Sequence, residues 1–332
     1  FMEADNPGTA LTLIEPRREG FEYDVADYGD RFLIRNNGDG ARDFKVSETP
    51  VTTPAEFNWQ DLVPHQLGRP IEGITVVREY MILSLRDSGL PQIRIIEHDT
   101  GDSSDVTFDE EDYAVGVIDG REWDTSTLRF SYTSLTTPST VYDYDIKTGE
   151  RELRKQTEVL GGFSSDRYES KRIFAAAEDG TQVPISMLYA KGTPLDGSSP
   201  LYLYGYGSYG IVVDSNFSSA RLSLVDRGFI FAVAHVRGGM DLGWDWYEDG
   251  KLLSKQNTFT DFVACAEHLI NQSYVEKGRI IASGGSAGGM LMGAVVNLRP
   301  DLFNAVVADV PFVDVLNTML DDSLPLTTME YN

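Results

Sequence analysis

The sequence predicts two domains of different construction: the last blades of an all-β propeller, followed by a doubly wound, mostly parallel α/β sheet. Three observations predict it. Short alternating strands recur about every 50 residues up to Thr157, continuous apolar strands alternate with helical patterns after Ser170, and the stretch between them is rich in glycine and serine. A chain of 332 residues has room for two such units. The division is placed at 1–160 and 161–332.

In the first unit, Arg31–Ile34, Tyr80–Leu83 and Leu128–Ser131 are successive strand candidates. A second echo follows them. Ile93–Ile96 leads into Asp99-Thr100-Gly101, and Val141–Tyr144 leads into Lys147-Thr148-Gly149, with the two Thr-Gly turns 48 residues apart. A four-stranded blade needs about 40 to 50 residues. Three imperfect units fit part of a propeller, with a β-sandwich as the alternative, and they cannot close a ring alone. The acidic run Asp109–Asp112 lacks the glycine of a calcium loop and reads as a solvated turn.

Val159 to Ser170 reads as a linker. Beyond it, Leu201–Tyr204 and Phe229–Ala234 are continuous apolar strands, as a sheet covered on both faces requires. Phe259 to Ile270 carries a helical pattern, in which Cys265 is a core residue. Arg279–Ala282 is a strand, a helix runs from Gly289 towards Leu298, and Ala305–Ala308 is the next strand.

Between that strand and helix stands Gly284-Gly285-Ser286-Ala287-Gly288, the pattern of a nucleophile elbow. A serine on a sharp strand-to-helix turn is strained so that its hydroxyl stands above the sheet. Glycines two positions to either side let backbone and helix pass without a clash. The amide of Ala287 then faces the place where an oxyanion forms. This context predicts an α/β-hydrolase fold with Ser286 as nucleophile.

Gly205-Tyr206-Gly207-Ser208-Tyr209-Gly210 also follows a strand and matches a dinucleotide fingerprint as a string. That alternative, a nucleotide-binding oxidoreductase, requires a helix opening at the glycines, whereas Ile211-Val212-Val213 follows and the next helical pattern starts near Ser218. The loop is better placed to supply a second oxyanion donor. No His-Gly-Gly loop is present, and Tyr206, free to turn between two glycines, is either that donor or a packed core tyrosine.

Composition limits the partners. A net charge of -24 repels nucleic acid and anionic membrane and concentrates cationic ligands, although it equally suits solubility. No run of eighteen apolar residues is present. One cysteine forms no internal disulfide and favours a reducing, cytoplasmic setting, with the periplasm left open. One cysteine and four scattered histidines offer no metal-ligand spacing, and no cofactor is expected.

The catalytic half resembles the prolyl oligopeptidase family, on its branch that cleaves after basic residues. The matching stretches are Tyr204–Gly210, His235–Gly239, Trp246–Lys251, Asn257–Phe259, Gly284–Gly293, Val310–Val315 and Pro325–Thr328. The resemblance covers about Tyr202 to the end of the chain; the first half is similar only in its repeat. It implies cleavage of short peptides after Arg or Lys beneath a propeller that excludes folded proteins. It implies Ser286 as nucleophile, with Tyr206 and the Ala287 amide as the oxyanion hole. It also implies Glu330 as the acid for a basic P1 side chain, Phe312 as the wall of that pocket, and Asp214 as a P2 acid. Asn216 and Asn332 depart from the pattern, since acids usually stand there, and this puts a dibasic preference in doubt. A carboxylate receiving two parallel hydrogen bonds from a guanidinium suits that use of Glu330.

A hydrolase elbow needs a general base, ordered Ser, Asp, His along the chain. His65, His98, His235 and His268 all precede Ser286 and read as structural. Asp309, Asp314, Asp321 and Asp322 follow Ser286 too closely to match the family's triad acid. The expectation is therefore that the triad acid and base lie beyond Asn332, early blades lie before Phe1, and these residues alone are inactive. A proline-specific peptidase, an esterase and a propeller scaffold with a decayed hydrolase are the competing functions.

Overall fold

The computed structural model describes residues 1–321, 323 and 324. Twelve strands form three antiparallel four-stranded meanders. The first holds β1 (Tyr23–Asp27), β2 (Arg31–Asn36), β3 (Lys45–Pro50) and β4 (Gln60–Val63). The second holds β5 (Ile71–Val76), β6 (Tyr80–Asp87), β7 (Leu90–Glu97) and β8 (Ser103–Asp105). The third holds β9 (Tyr113–Val117), β10 (Thr127–Ser134), β11 (Thr140–Asp145) and β12 (Arg151–Gln156). The three repeating strand candidates are the second strands of successive meanders, and the two Thr-Gly turns each join a third strand to a fourth. These are propeller blades. In β10 the alternation is plain, with Leu128, Phe130 and Tyr132 buried and Arg129 directed outward to Asp143.

The second unit is a six-stranded sheet ordered β13-β14-β16-β15-β17-β18. Its strands are β13 (Tyr168–Ala176), β14 (Gln182–Ala190), β15 (Leu201–Tyr204), β16 (Ile230–Ala234), β17 (Ile280–Gly285) and β18 (Phe303–Asp309). Pairing is antiparallel among β13, β14 and β16, and parallel from β16 through β15 and β17 to β18. Helices α1 (Ser219–Val225), α2 (Trp244–Glu248), α3 (Gln256–Asn271), α4 (Ala287–Leu298) and α5 (Val315–Met319) complete it. All of β16 is buried, the signature of a strand covered on both faces. Phe262, Cys265, Ala266 and Leu269 of α3 pack with Leu203, Ala232 and Ala282 of the sheet. Burial pushes the Cys265 thiol well up, so it stays protonated.

Two details differ from the sequence reading. The first strand of this sheet begins at Tyr168, inside the stretch taken as linker, because β13 is an edge strand paired along its whole length with β14 and lacks a continuous apolar run. The acidic run at 109–112 is not a solvated turn. Glu110 accepts hydrogen bonds from the hydroxyls of Tyr132, Ser134, Thr136 and Thr137. Asp112 is buried and faces Arg172 at 3.4 Å.

The two units share a boundary built from charge and apolar contact together. Asp43 of the first blade is 1% exposed, and its carboxylate accepts from the Trp244 and Gly68 amides, each at 2.6 Å. It thereby satisfies an orphan donor at the start of α2 from the other domain. Arg86 of β6, also buried, donates to Glu72 and to Asp214 at 3.0 Å each. Leu135 from the propeller enters a cluster with Tyr168, Leu188, Leu222 and Phe231.

Asp43→Ala removes two charge-assisted bonds from a dry boundary and leaves both amides unpaired. It is expected to lower unfolding stability in urea by about 2–4 kcal/mol. An unchanged midpoint would show that the cap contributes nothing.

Candidate active site

The site is built where β17 turns into α4. Ser286 sits at φ 55 and ψ -116, a left-handed backbone that a non-glycine residue holds only under strain. Its amide donates to the Asp309 carbonyl at 2.9 Å, and its own carbonyl accepts from the Phe312 amide at 2.9 Å. These bonds, with α4 starting at once, hold the bend open. Ser286 is exposed while Gly284, Ala287 and Gly288 around it are buried. Ala287 is the first residue of α4, two positions earlier than the sequence pattern suggests, so its amide belongs to the unpaired first turn of a helix.

The neighbouring wall is the Gly205–Gly210 loop after β15. The Gly205 amide donates to the Ser283 carbonyl at 3.0 Å, which fixes the start of the loop beside the elbow. A Cβ placed on Gly288 would lie 2.7 Å from the Gly205 carbonyl oxygen and 3.3 Å from Tyr206 Cα. Tyr206 is therefore in contact with the elbow's own backbone, and glycine at 288 is what permits it. From Gly205 the chain runs irregularly to α1, which opens only at Ser219 with Ser218 as its cap. A pyrophosphate would find no helix N-terminus at these glycines.

The structure thus brings Ser286, Ala287, Tyr206 and the backbone of Phe312 together. Asp214 and Asn216 form a separate turn held against the propeller. The Asn216 amide donates to the Asp214 carbonyl at 2.8 Å, and Arg86 holds the Asp214 carboxylate. Sequence reading missed that partner, and nothing in the local pattern around Arg86 announces it. Glu330 and Asn332 lie outside the described residues.

None of the four histidines serves the elbow. His235 is buried, with Nε2 2.6 Å from Ser186 Oγ and Nδ1 2.9 Å from Asp241 Oδ1. This is a Ser–His–Asp chain in form, yet Ser186 is fully buried on β14 and meets no substrate. His98 packs against Tyr28 in the propeller, with ring centroids 4.0 Å apart and the planes tilted by 36°. Burial lowers the pKa values of His98 and of His268 on α3. His65 lies between β4 and β5.

Comparison with known proteins agrees with this arrangement. Residues 1–157 match the family model described as the prolyl oligopeptidase N-terminal beta-propeller domain, and residues 215–332 match that of the prolyl oligopeptidase family. The chain is 43% identical over 330 residues to Dipeptidyl aminopeptidase BI of Pseudoxanthomonas mexicana, covering 99% of this chain and 45% of the relative. It is 39% identical over 331 residues to Protease 2 of Moraxella lacunata, covering 100% of this chain and 47% of the relative. Among solved structures, oligopeptidase B of Leishmania major superposes with a TM-score of 0.90 at 39% identity, over 99% of this chain and 47% of that one. Oligopeptidase B of Trypanosoma brucei with covalently bound antipain, a closed form, gives 0.89 at 41%, over 97% and 47%. The chain spans about half the length of the curated relatives it matches.

The glycines of the elbow differ in how tightly they are held. Gly288→Ala forces a methyl against the Gly205 carbonyl and is expected to cost about 1–3 kcal/mol. In Gly285→Ala the nearest atom lies at 3.7 Å, and the change is expected to be near neutral. Equal unfolding midpoints for the two variants would contradict the close approach.

Proposed function

The chain belongs to the prolyl oligopeptidase family, and we propose that it carries the nucleophile and oxyanion hole of a serine peptidase acting on short peptides after Arg or Lys. The observation that supports this most is the strained, exposed Ser286 with Tyr206 packed on the glycine two residues beyond it. In this reading Ser286 Oγ attacks the scissile carbonyl as its proton passes to a general base. The developing oxyanion accepts hydrogen bonds from the Tyr206 hydroxyl and the Ala287 amide. The acyl-enzyme then yields to water. The propeller covers the site and limits it to short chains.

Glu330 is the proposed acid for a basic P1 residue and Phe312 the pocket wall. A net charge of -24 favours the approach of cationic peptides. Asp214 is the proposed P2 acid, and a basic P2 residue would share it with Arg86. With neutral Asn216 close to Asp214 in sequence and neutral Asn332 close to Glu330, we propose a weak preference at P2. The name of the Pseudoxanthomonas relative favours a second reading, in which dipeptides are released from free N-termini. A substrate with a blocked N-terminus separates the two.

Turnover requires a base that His65, His98, His235 and His268 do not supply. Residues 1–332 alone are therefore expected to hydrolyse an arginyl amide several orders of magnitude more slowly than a full-length relative, because a serine without its histidine is a poor nucleophile. A hybrid in which residues 1–332 replace the matching stretch of the Moraxella lacunata protein is expected to cleave arginyl amides in preference to prolyl ones. In that hybrid Ser286→Ala should abolish turnover, and Tyr206→Phe should lower kcat by about 10²–10³. Full activity in the Ser286→Ala hybrid would sink the proposal, and preferential prolyl cleavage would replace its specificity.

A further inference from the structure

We propose that Lys255 is a positioning residue for Tyr206: its ammonium pins the far side of the Gly205–Gly210 loop and so fixes Tyr206 against the serine elbow. The inference rests on the reading above that Tyr206 serves the Ser286 site. Lys255 stands immediately before α3 and is buried. Its Nζ donates to the Gly207 carbonyl and to Ser208 Oγ, each at 2.5 Å. Ser208 is itself fully buried, so both bonds are made away from water.

The loop has no slack between its anchors. On one side of Tyr206 the Gly205 amide is bonded to the β17 backbone, and on the other the ammonium holds Gly207 and Ser208. Gly207 has φ 69, and a Cβ there would lie 2.7 Å from Val236 Cγ2 and 3.1 Å from the Arg237 carbonyl oxygen. Thr258, one turn further along α3, donates to the Arg237 carbonyl at 2.8 Å and lies 3.1 Å from the Gly250 carbonyl oxygen. The start of α3 therefore grips both the loop and the chain on which the loop rests. Hydrogen bonds from an ammonium are stronger than neutral ones, and removing the donor leaves a carbonyl unpaired in a dry place. Lys255 acts on the site through this turn.

The test uses the 332-residue chain with 3-fluorotyrosine in place of its 16 tyrosines, the Tyr206 resonance being assigned by its loss in Tyr206→Phe. In Lys255→Met that resonance is expected to shift or broaden, and amide exchange across residues 205–210 to quicken by about tenfold or more. Ser208→Ala removes one acceptor and leaves the ammonium in place. It is expected to produce a smaller change of the same kind, and it carries the test if Lys255→Met does not fold. An unmoved Tyr206 resonance with unchanged exchange at 205–210 overturns the proposal, whatever happens to the unfolding midpoint. In the hybrid enzyme, Lys255→Met should lower kcat more than it changes KM. A loosened loop with unchanged kcat would uphold the positioning role and defeat the reading of Tyr206 as oxyanion donor.

Discussion

The contact on which the rest depends is between two pieces of main chain. The Gly205 carbonyl and Tyr206 Cα lie against Gly288, and Gly284 packs against the Gly288 backbone, at distances that leave no room for a side chain. Because the backbones meet, the loop after β15 and the elbow after β17 form one wall. The parallel pairing of Tyr204 with Ser283 brings the ends of both strands to the same level. Strain at Ser286 is maintained by this packing together with the Asp309 and Phe312 hydrogen bonds. An active serine in a relaxed helix would need none of it.

The boundary between the domains follows a different rule. It depends on buried carboxylates and guanidiniums, among them Asp43, Arg86, Asp112 and Arg172, each with a partner in the other unit. Such pairs are costly to desolvate and lose most when one partner is removed, so they favour one docking geometry over many. Asp214 belongs to both systems, since it faces Arg86 and stands on the turn proposed to meet substrate.

Much of the fold was legible because it is written in local patterns. The repeat of second strands at Arg31, Tyr80 and Leu128 reflects a largely buried second strand recurring in each blade, and the continuous run at Phe229–Ala234 reflects a strand covered on both faces. The elbow was legible for a similar reason: a strained turn and close backbone approach restrict which residues can stand there. The edge strand β13 was not, since its alternation is mixed and it borders a glycine-rich stretch. Long-range charge pairing was not legible either. Nothing near Glu110 in sequence says that four hydroxyls converge on it, and nothing near Arg86 points to Asp214, 128 residues away. Lys255 is a lone lysine before a helix, which by pattern is a solvated one.

The central claim is that the hydroxyl of residue 286 carries the acyl group. The most direct measurement is acid quench of the hybrid enzyme during turnover of an arginyl ester, followed by mass-spectrometric mapping of the acylated peptide. The account predicts the added mass on the peptide containing Ser286, and its loss when the quench is delayed until substrate is exhausted. An acyl group mapped to any other residue would contradict it.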